Sequence, residues 1–266
     1  MFQLIPLINS LRYSLTNIKL GGDYKFIGLQ NYIRMFTSDV DLFNSVWVTI
    51  KYIVMVVPAK LIFALAVAMI LSMKLKGIRL FRTMYYLPSI LGGRVAISAL
   101  WRVMFMKTGL VNNLLGTNIN WLGDPKYALF TIGLIDVWQF GSSMLIFLSA
   151  LKQIPVSLYE AAEIDGANKV RTFFKITLPL LTPTIFFNLV MQMINGFLAF
   201  TQCYIITQGK PMNSTLFYTV YMYQQSFEFY NTGYGAALAW IMLMVIGTIT
   251  AILFATKKFW VYEGGI

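Results

Sequence analysis

Histidine is absent from this 266-residue chain, and cysteine occurs once, as Cys203. Without an imidazole there is no Ser-His triad, no zinc ligand set of the usual kind and no imidazole general base. A single thiol makes neither an intrachain disulfide nor a cysteine metal site. Charge is scarce as well. Charged residues make up 12% of the chain, against about 25% in an ordinary soluble domain, too few to cover a water-facing surface. A phosphate loop of the form G-x-x-x-x-G-K-[ST] is missing, since Gly209-Lys210 runs into Pro211, so the chain is not expected to hydrolyse ATP itself.

What the chain has in quantity is apolar surface: 58% hydrophobic residues, 16% aromatic residues and 15 methionines. Stretches of about 20 apolar residues cross a bilayer as helices, because each backbone amide must find its partner within the segment. Five runs qualify: Val46–Met73, Tyr86–Met106, Leu129–Leu151, Thr184–Ile206 and Ala236–Thr256. Met1–Leu15 is apolar but too short to cross, and reads as the later part of a further, shortened span. The fold class is thus an all-α integral membrane bundle of about six transmembrane helices. Residues 1-45 form the shortened first helix and an outer loop, 46-256 the membrane core, and 257-266 a cytoplasmic tail.

The net charge of +11 comes from short clusters between the apolar runs, not from a surface stripe, which argues for membrane topology and against a nucleic-acid partner. Lys74, Lys76, Arg79 and Arg82 form one cluster. Lys152, Lys169, Arg171 and Lys175 form a second, and Lys257 and Lys258 a third. With alternating helices all three fall on one side, which the positive-inside rule makes the cytoplasm. Lys51, Lys60, Arg94 and Arg102 lie within or near spans, where a cation snorkels or finds a partner. Their excess over Asp136, the acidic candidate well inside a span, admits an anionic cargo such as an oligouronate.

The longest cytoplasmic segment, 152-183, is neither linker nor span. Ser157 and Glu160 have capping-box spacing, which predicts a helix start. Gly166 is a natural terminator. A second short helix is expected over Val170–Ile176, with Pro179 and Pro183 marking entry into the next span. The result is a compact knob with apolar surface at Leu158, Tyr159, Phe173 and Phe174 and charge at Glu160, Glu163 and Asp165, suited to docking a cytoplasmic protein. At membrane depth, Gln192, Asn195, Gly196 and Ala199 share one helix face by their spacing, where polar groups either line a path for hydroxylated cargo or glue helices together.

Within the knob, Tyr159-Glu160-Ala161-Ala162, Asp165-Gly166-Ala167 and Ile176-Thr177-Leu178-Pro179 resemble the EAA motif of ABC importer permeases. The form is that of the carbohydrate branch, whose best-known members carry maltose and glycerol phosphate. Phe26-Ile27-Gly28-Leu29-Gln30-Asn31-Tyr32, Phe81-Arg82-Thr83, Tyr86-Leu87-Pro88 and Gly209-Lys210-Pro211 extend the resemblance over nearly the whole chain. It implies a type I ABC importer permease fold in a bacterial inner membrane. It further implies that the motif is a coupling helix seated in a cleft of an ATPase subunit, with Ser157, Tyr159, Glu160, Ala161, Ala162, Asp165, Gly166, Phe173 and Phe174 as its working residues. ATP and Mg would be bound by that ATPase, and no cofactor by this chain. A second, related permease and an extracytoplasmic sugar-binding protein complete the implied assembly. Counting from the motif places sugar-contacting positions at Trp138, Gln139, Ser142, Gln192, Asn195, Gly196 and Ala199. The rival reading, an ion-coupled secondary transporter, calls for more helices in paired halves and leaves the motif unexplained.

Overall fold

In the computed structural model, residues 4–19, 25–73, 77–90 and 94–262 are described. The longest apolar run makes the longest helix, Val40–Ser72 (α3), 33 residues or about 50 Å at 1.5 Å per residue. That exceeds a hydrocarbon core of about 30 Å, so α3 begins six residues before its expected apolar start. Before it come Leu4–Ser14 (α1) and Gln30–Thr37 (α2). After it come Ile78–Ile90 (α4), Arg94–Met104 (α5), Leu110–Leu115 (α6), Pro125–Trp138 (α7), Gly141–Leu151 (α8) and Val156–Ile164 (α9). Lys169–Thr172 (α10), a π turn at Phe173–Thr177 and Leu178–Phe197 (α11) follow, then Thr201–Ile206 (α12) and Tyr218–Tyr223 (α13). A second π turn, Gln224–Glu228, precedes the last helix, Thr232–Trp260 (α14). Among the described residues no strand forms, only an isolated bridge between Thr16 and Phe26.

Among the described residues, three helical stretches are long and apolar enough to cross a membrane: Val40–Ser72, Lys169–Ile206 and Thr232–Trp260. Taken together, α7 and α8 are also long and apolar enough, with a bend of 44° between them. Their outward faces are greasy: Val54, Ile62 and Ile70 on α3 and Leu243, Met244 and Ile252 on α14 are all exposed, as lipid-facing side chains are. The expected span Tyr86–Met106 divides between α4 and α5, and α4 starts early enough to take Arg79 and Arg82 into the helix. Arg82 donates through Nη2 to the Leu71 carbonyl at 3.0 Å. The expected inner cations Lys74 and Lys76, and the tail from 263 onward, lie outside the described residues.

Contacts divide the chain into two compact units. The first comprises Met1–Tyr52, Val95–Ile132 and Phe197–Ile249. Its polar core is a cap built on Asp39, the buried residue preceding α3. Asp39 Oδ1 accepts from the Leu42 amide at 2.9 Å, which caps the helix. Its Oδ2 accepts from the Tyr221 hydroxyl at 2.5 Å and also from the Tyr234 hydroxyl. Gln225 Nε2 donates to the Tyr221 oxygen at 3.1 Å, Asn231 Nδ2 donates to Gln225 Oε1 at 3.1 Å, and the Arg34 guanidinium lies 4.3 Å from the Tyr234 ring centre. Burial, with the Asp39 hydrogen bond behind it, holds the Tyr221 phenol above its ordinary range. Asn31 donates to the carbonyls of Ser14 and Thr16, tying α2 to the end of α1.

The second unit comprises Ile53–Arg94, Gly133–Gly196 and Thr250–Ile266. Here α4 packs closely on the start of α8. A Cβ on Gly141 would lie 2.7 Å from the Tyr85 carbonyl oxygen and from Ser89 Oγ. Chain beyond the last expected span is also anchored: α14 runs to Trp260, Val261 is buried with Phe186 and Val190, and the Tyr262 amide donates to Thr182 Oγ1 at 2.8 Å.

Candidate functional site

The knob belongs wholly to the second unit, and local chemistry shapes it. Its helix, α9, starts two residues earlier than the capping-box spacing predicts, because Pro155 takes the N-cap position at φ −58° and ψ 132°. Ser157 therefore has helical geometry inside the first turn, and no side chain caps this end. The expected Ser157–Glu160 capping box does not form, and Glu160 stays exposed, with no capping duty.

The other end closes as expected. Gly166 sits at φ +72°, a conformation costly for residues with a Cβ. Its amide donates to the Glu163 carbonyl at 3.0 Å and the Ala167 amide to the Ala162 carbonyl at 2.9 Å. This pair of bonds is a Schellman termination. Two residues on, Asn168 Oδ1 accepts from the Arg171 amide at 2.8 Å and starts α10. The expected second short helix is not separate. From Lys169 the chain winds through the π turn into α11 without a break, Pro183 lies inside the helix, and the Leu178 amide reaches back to the Phe173 carbonyl. The π turn lies just ahead of Pro179, whose ring nitrogen has no proton to give the helical ladder.

Glu160, Ala161, Glu163, Ile164, Asp165 and Gly166 are exposed, Ile164 by 87%. Ala162 is buried and Tyr159 half-buried, so α9 has an inner and an outer face. Tyr159 and Phe173 line a cleft of about 360 Å³ with Met69, Glu163, Lys169 and Thr177. Phe174, edge-on to Phe173 at 5.0 Å, is exposed.

Part of the translocation set lies at the α7–α8 bend. Gln139 occupies the break itself, and its carbonyl accepts from Ser89 Oγ at 3.3 Å. Trp138 and Ser142 are exposed on either side of it. On α11, Gln192 Nε2 donates to Ser143 Oγ at 3.1 Å, next in chain to Ser142, and Asn195 is exposed. Gly196 is buried, and a Cβ there would lie 2.9 Å from Ile53 Cγ1, so it serves close packing. Ala199 falls in the first unit, 1% exposed, with its carbonyl accepting from the Thr219 hydroxyl. Intramembrane cations have company. Lys60 lies within electrostatic range of Asp136 and Arg94, Lys51 sits 5.2 Å from the Trp47 ring, and Arg102 donates to the Ile205 carbonyl at 3.3 Å.

Sequence reasoning missed the Asp39 cap. The one local signal is Asp39 directly ahead of a long apolar run, an N-cap pattern. Nothing local points to its tyrosines, 182 and 195 positions away.

Spanning helices, a bent span with exposed polar groups and a rigid knob at the base of another span define a multi-pass membrane transporter subunit. Residues 35–256 match the family described as binding-protein-dependent transport system inner membrane component, and the chain belongs to that family. It is 49% identical to the probable ABC transporter permease protein YesP of Bacillus subtilis, over 98% of this chain and 87% of the relative. It is 32% identical to the arabinooligosaccharides transport system permease AraP of the same organism, covering 94% and 82%. Identity to the sn-glycerol-3-phosphate transport system permease UgpA of Shigella flexneri is also 32%, covering 95% and 88%. A chain of a bacterial ABC transporter involved in import of the acidic polysaccharide alginate superposes with a TM-score of 0.81, over 97% of this chain and 90% of that one, at 19% identity. The all-α type I importer fold and the inner-membrane location follow.

Proposed function

We propose that this chain is one of two permease subunits of an ATP-driven importer, and that its cargo is a sugar or oligosaccharide delivered by an extracytoplasmic binding protein. The observation that carries this reading is the knob. Its outer face presents Glu160, Ile164 and Asp165, its far end is closed by a glycine corner, and its exit leads directly into a span. A cytoplasmic ATPase pushing on that face moves α11. Glu160 meets a basic residue of the ATPase, and Ala161 leaves room for close approach. ATP and Mg reside on the ATPase, which performs the hydrolysis; this chain contributes movement.

Gln139, Ser142, Gln192 and Asn195 replace water on the cargo hydroxyls as it passes, and the exposed Trp138 ring stacks on a sugar face. Gly196 lets α11 approach Ile53 of α3 closely. The bend suits the role, because an interrupted ladder presents backbone polar groups at membrane depth where they line a path.

The test begins with equilibrium binding of neutral and uronic oligosaccharides to the partner binding protein. Hydrolysis by the reconstituted complex is then measured with the glycans that bind. Gly166→Pro should abolish glycan-stimulated hydrolysis while the subunit still inserts. Undiminished stimulation would remove the knob from the mechanism, and failure of every glycan to stimulate would remove the sugar.

A further inference from the structure

On the inner face of α9, the hydroxyl of half-buried Tyr159 lies 3.2 Å from Thr177 Oγ1 across 18 residues of chain. Thr177 is 5% exposed and ends the π turn that joins α10 to α11. We infer that this pair is a brace, with Tyr159 and Thr177 acting as positioning residues that make α9 and the foot of α11 one rigid lever. The inference rests on the coupling role proposed above and moves Tyr159 from the docking surface to the inside of the device.

A push on the outer face of α9 can reach the span by two routes. One is the covalent corner Asp165–Asn168, where a Cβ placed on Gly166, at φ +72°, would meet nothing within 4 Å. A single corner lets a short helix pivot. The second route is the hydroxyl pair, which joins α9 roughly 10 Å before the corner to the span roughly 12 Å after it. Two arms fixed at the corner and tied by a cross-member cannot pivot. The cross-member also meets the span at its π turn, where the helical ladder changes register.

The experiment uses the assembled complex, stimulated by the binding protein carrying whichever neutral or uronic oligosaccharide drives the unaltered complex hardest. Thr177→Val removes the hydroxyl and keeps the shape, while Thr177→Ser keeps the hydroxyl. The brace requires that Thr177→Val still co-purifies with the ATPase, yet loses roughly five-fold in the ratio of stimulated to unstimulated hydrolysis, the scale of one hydrogen bond. Thr177→Ser should restore most of that ratio, and adding Tyr159→Phe to Thr177→Val should cost nothing more. An unchanged ratio in Thr177→Val overturns the brace, as does a serine variant no better than the valine one. Loss of the ATPase from purified Thr177→Val also overturns it, since the pair would then build the docking surface itself. If Gly166→Pro remains fully stimulated, the coupling reading falls; if Gly166→Pro is dead and Thr177→Val normal, only the brace does.

Discussion

Around Asp39, pieces of chain from residues 34, 39, 221, 225, 231 and 234 are tied together almost entirely by side chains, and the carboxylate at the centre is buried. Around Glu160 the ties are local, half of them backbone: two Schellman bonds, an Asn168 cap and one hydroxyl pair, with the carboxylates left exposed. The difference follows from what each region must do. A buried polar network specifies one arrangement because every member loses its partner if any moves. A knob that mates with another protein must keep its outer face free, so its rigidity comes from the turn chemistry of its own short segment. The cap is stabilised by long-range partners and the knob by its neighbours in sequence.

The comparison would break most visibly at Asp39. Asp39→Ala removes the α3 cap and leaves two buried tyrosine hydroxyls without their acceptor, and an orphaned buried group costs about 1–3 kcal/mol. The expected loss is about 3 kcal/mol or more, read as a large fall in the Tm of the detergent-purified complex. Glu160→Ala, which removes an exposed carboxylate, should shift Tm little and lower glycan-stimulated hydrolysis instead. A similar Tm shift for both would mean that the cap is no more structural than the knob.

The same contrast explains what could be read from sequence. The knob was legible because its signals are local: Gly166 at the end of a helix-favouring run, prolines after it, and motif spacing within about 25 residues. Even there the capping box failed, since Pro155 starts the helix first and pattern alone does not rank two adjacent start signals. Four of the five expected spans were legible from apolar length, while Tyr86–Met106 divides between α4 and α5, and α3, α4 and α14 extend past their apolar windows. Their ends are set by polar contacts such as Asp39 with the Leu42 amide and Tyr262 with Thr182. The bend at Gln139–Phe140 has no proline or glycine inside the break to announce it. Which polar residues at membrane depth are exposed and which are glue depends on neighbouring helices. Gln192 and Asn195 share a face in sequence, yet one holds Ser143 and the other is exposed.

Two glycines sharpen the point at intermediate energy. Gly233, at the head of α14, donates its amide to the Ile18 carbonyl at 3.0 Å, and a Cβ there would lie 2.2 Å from the Thr16 carbonyl oxygen. Gly233→Ala should force backbone apart in the first unit and cost about 2 kcal/mol. Gly166 has open space where its Cβ would be, and its requirement is the positive φ. Gly166→Ala should cost nearer 1 kcal/mol, and Gly166→Asn less, because asparagine tolerates the left-handed region. Thermal unfolding of the three variants checks the order. An asparagine as harmful at 166 as alanine would show that the corner is held by something other than backbone conformation.

The smallest effect concerns protons. Tyr221→Phe removes one of the two hydroxyls on Asp39 and should cost about 1 kcal/mol near neutral pH. Its sharper signature is alkaline. The Tyr221 phenol is held above its usual range, first by burial and then by the Asp39 hydrogen bond. Above the ordinary tyrosine value of about 10, the unfolded chain releases this proton while the folded chain keeps it, so unfolding is favoured as pH rises. The stabilisation is fully present below about pH 10 and is lost progressively above it. The unaltered complex should therefore lose Tm more steeply between about pH 9.5 and 11 than Tyr221→Phe, which has one phenol fewer to ionise. Parallel slopes would mean that Tyr221 titrates freely, and that the cap is looser than its buried carboxylate implies.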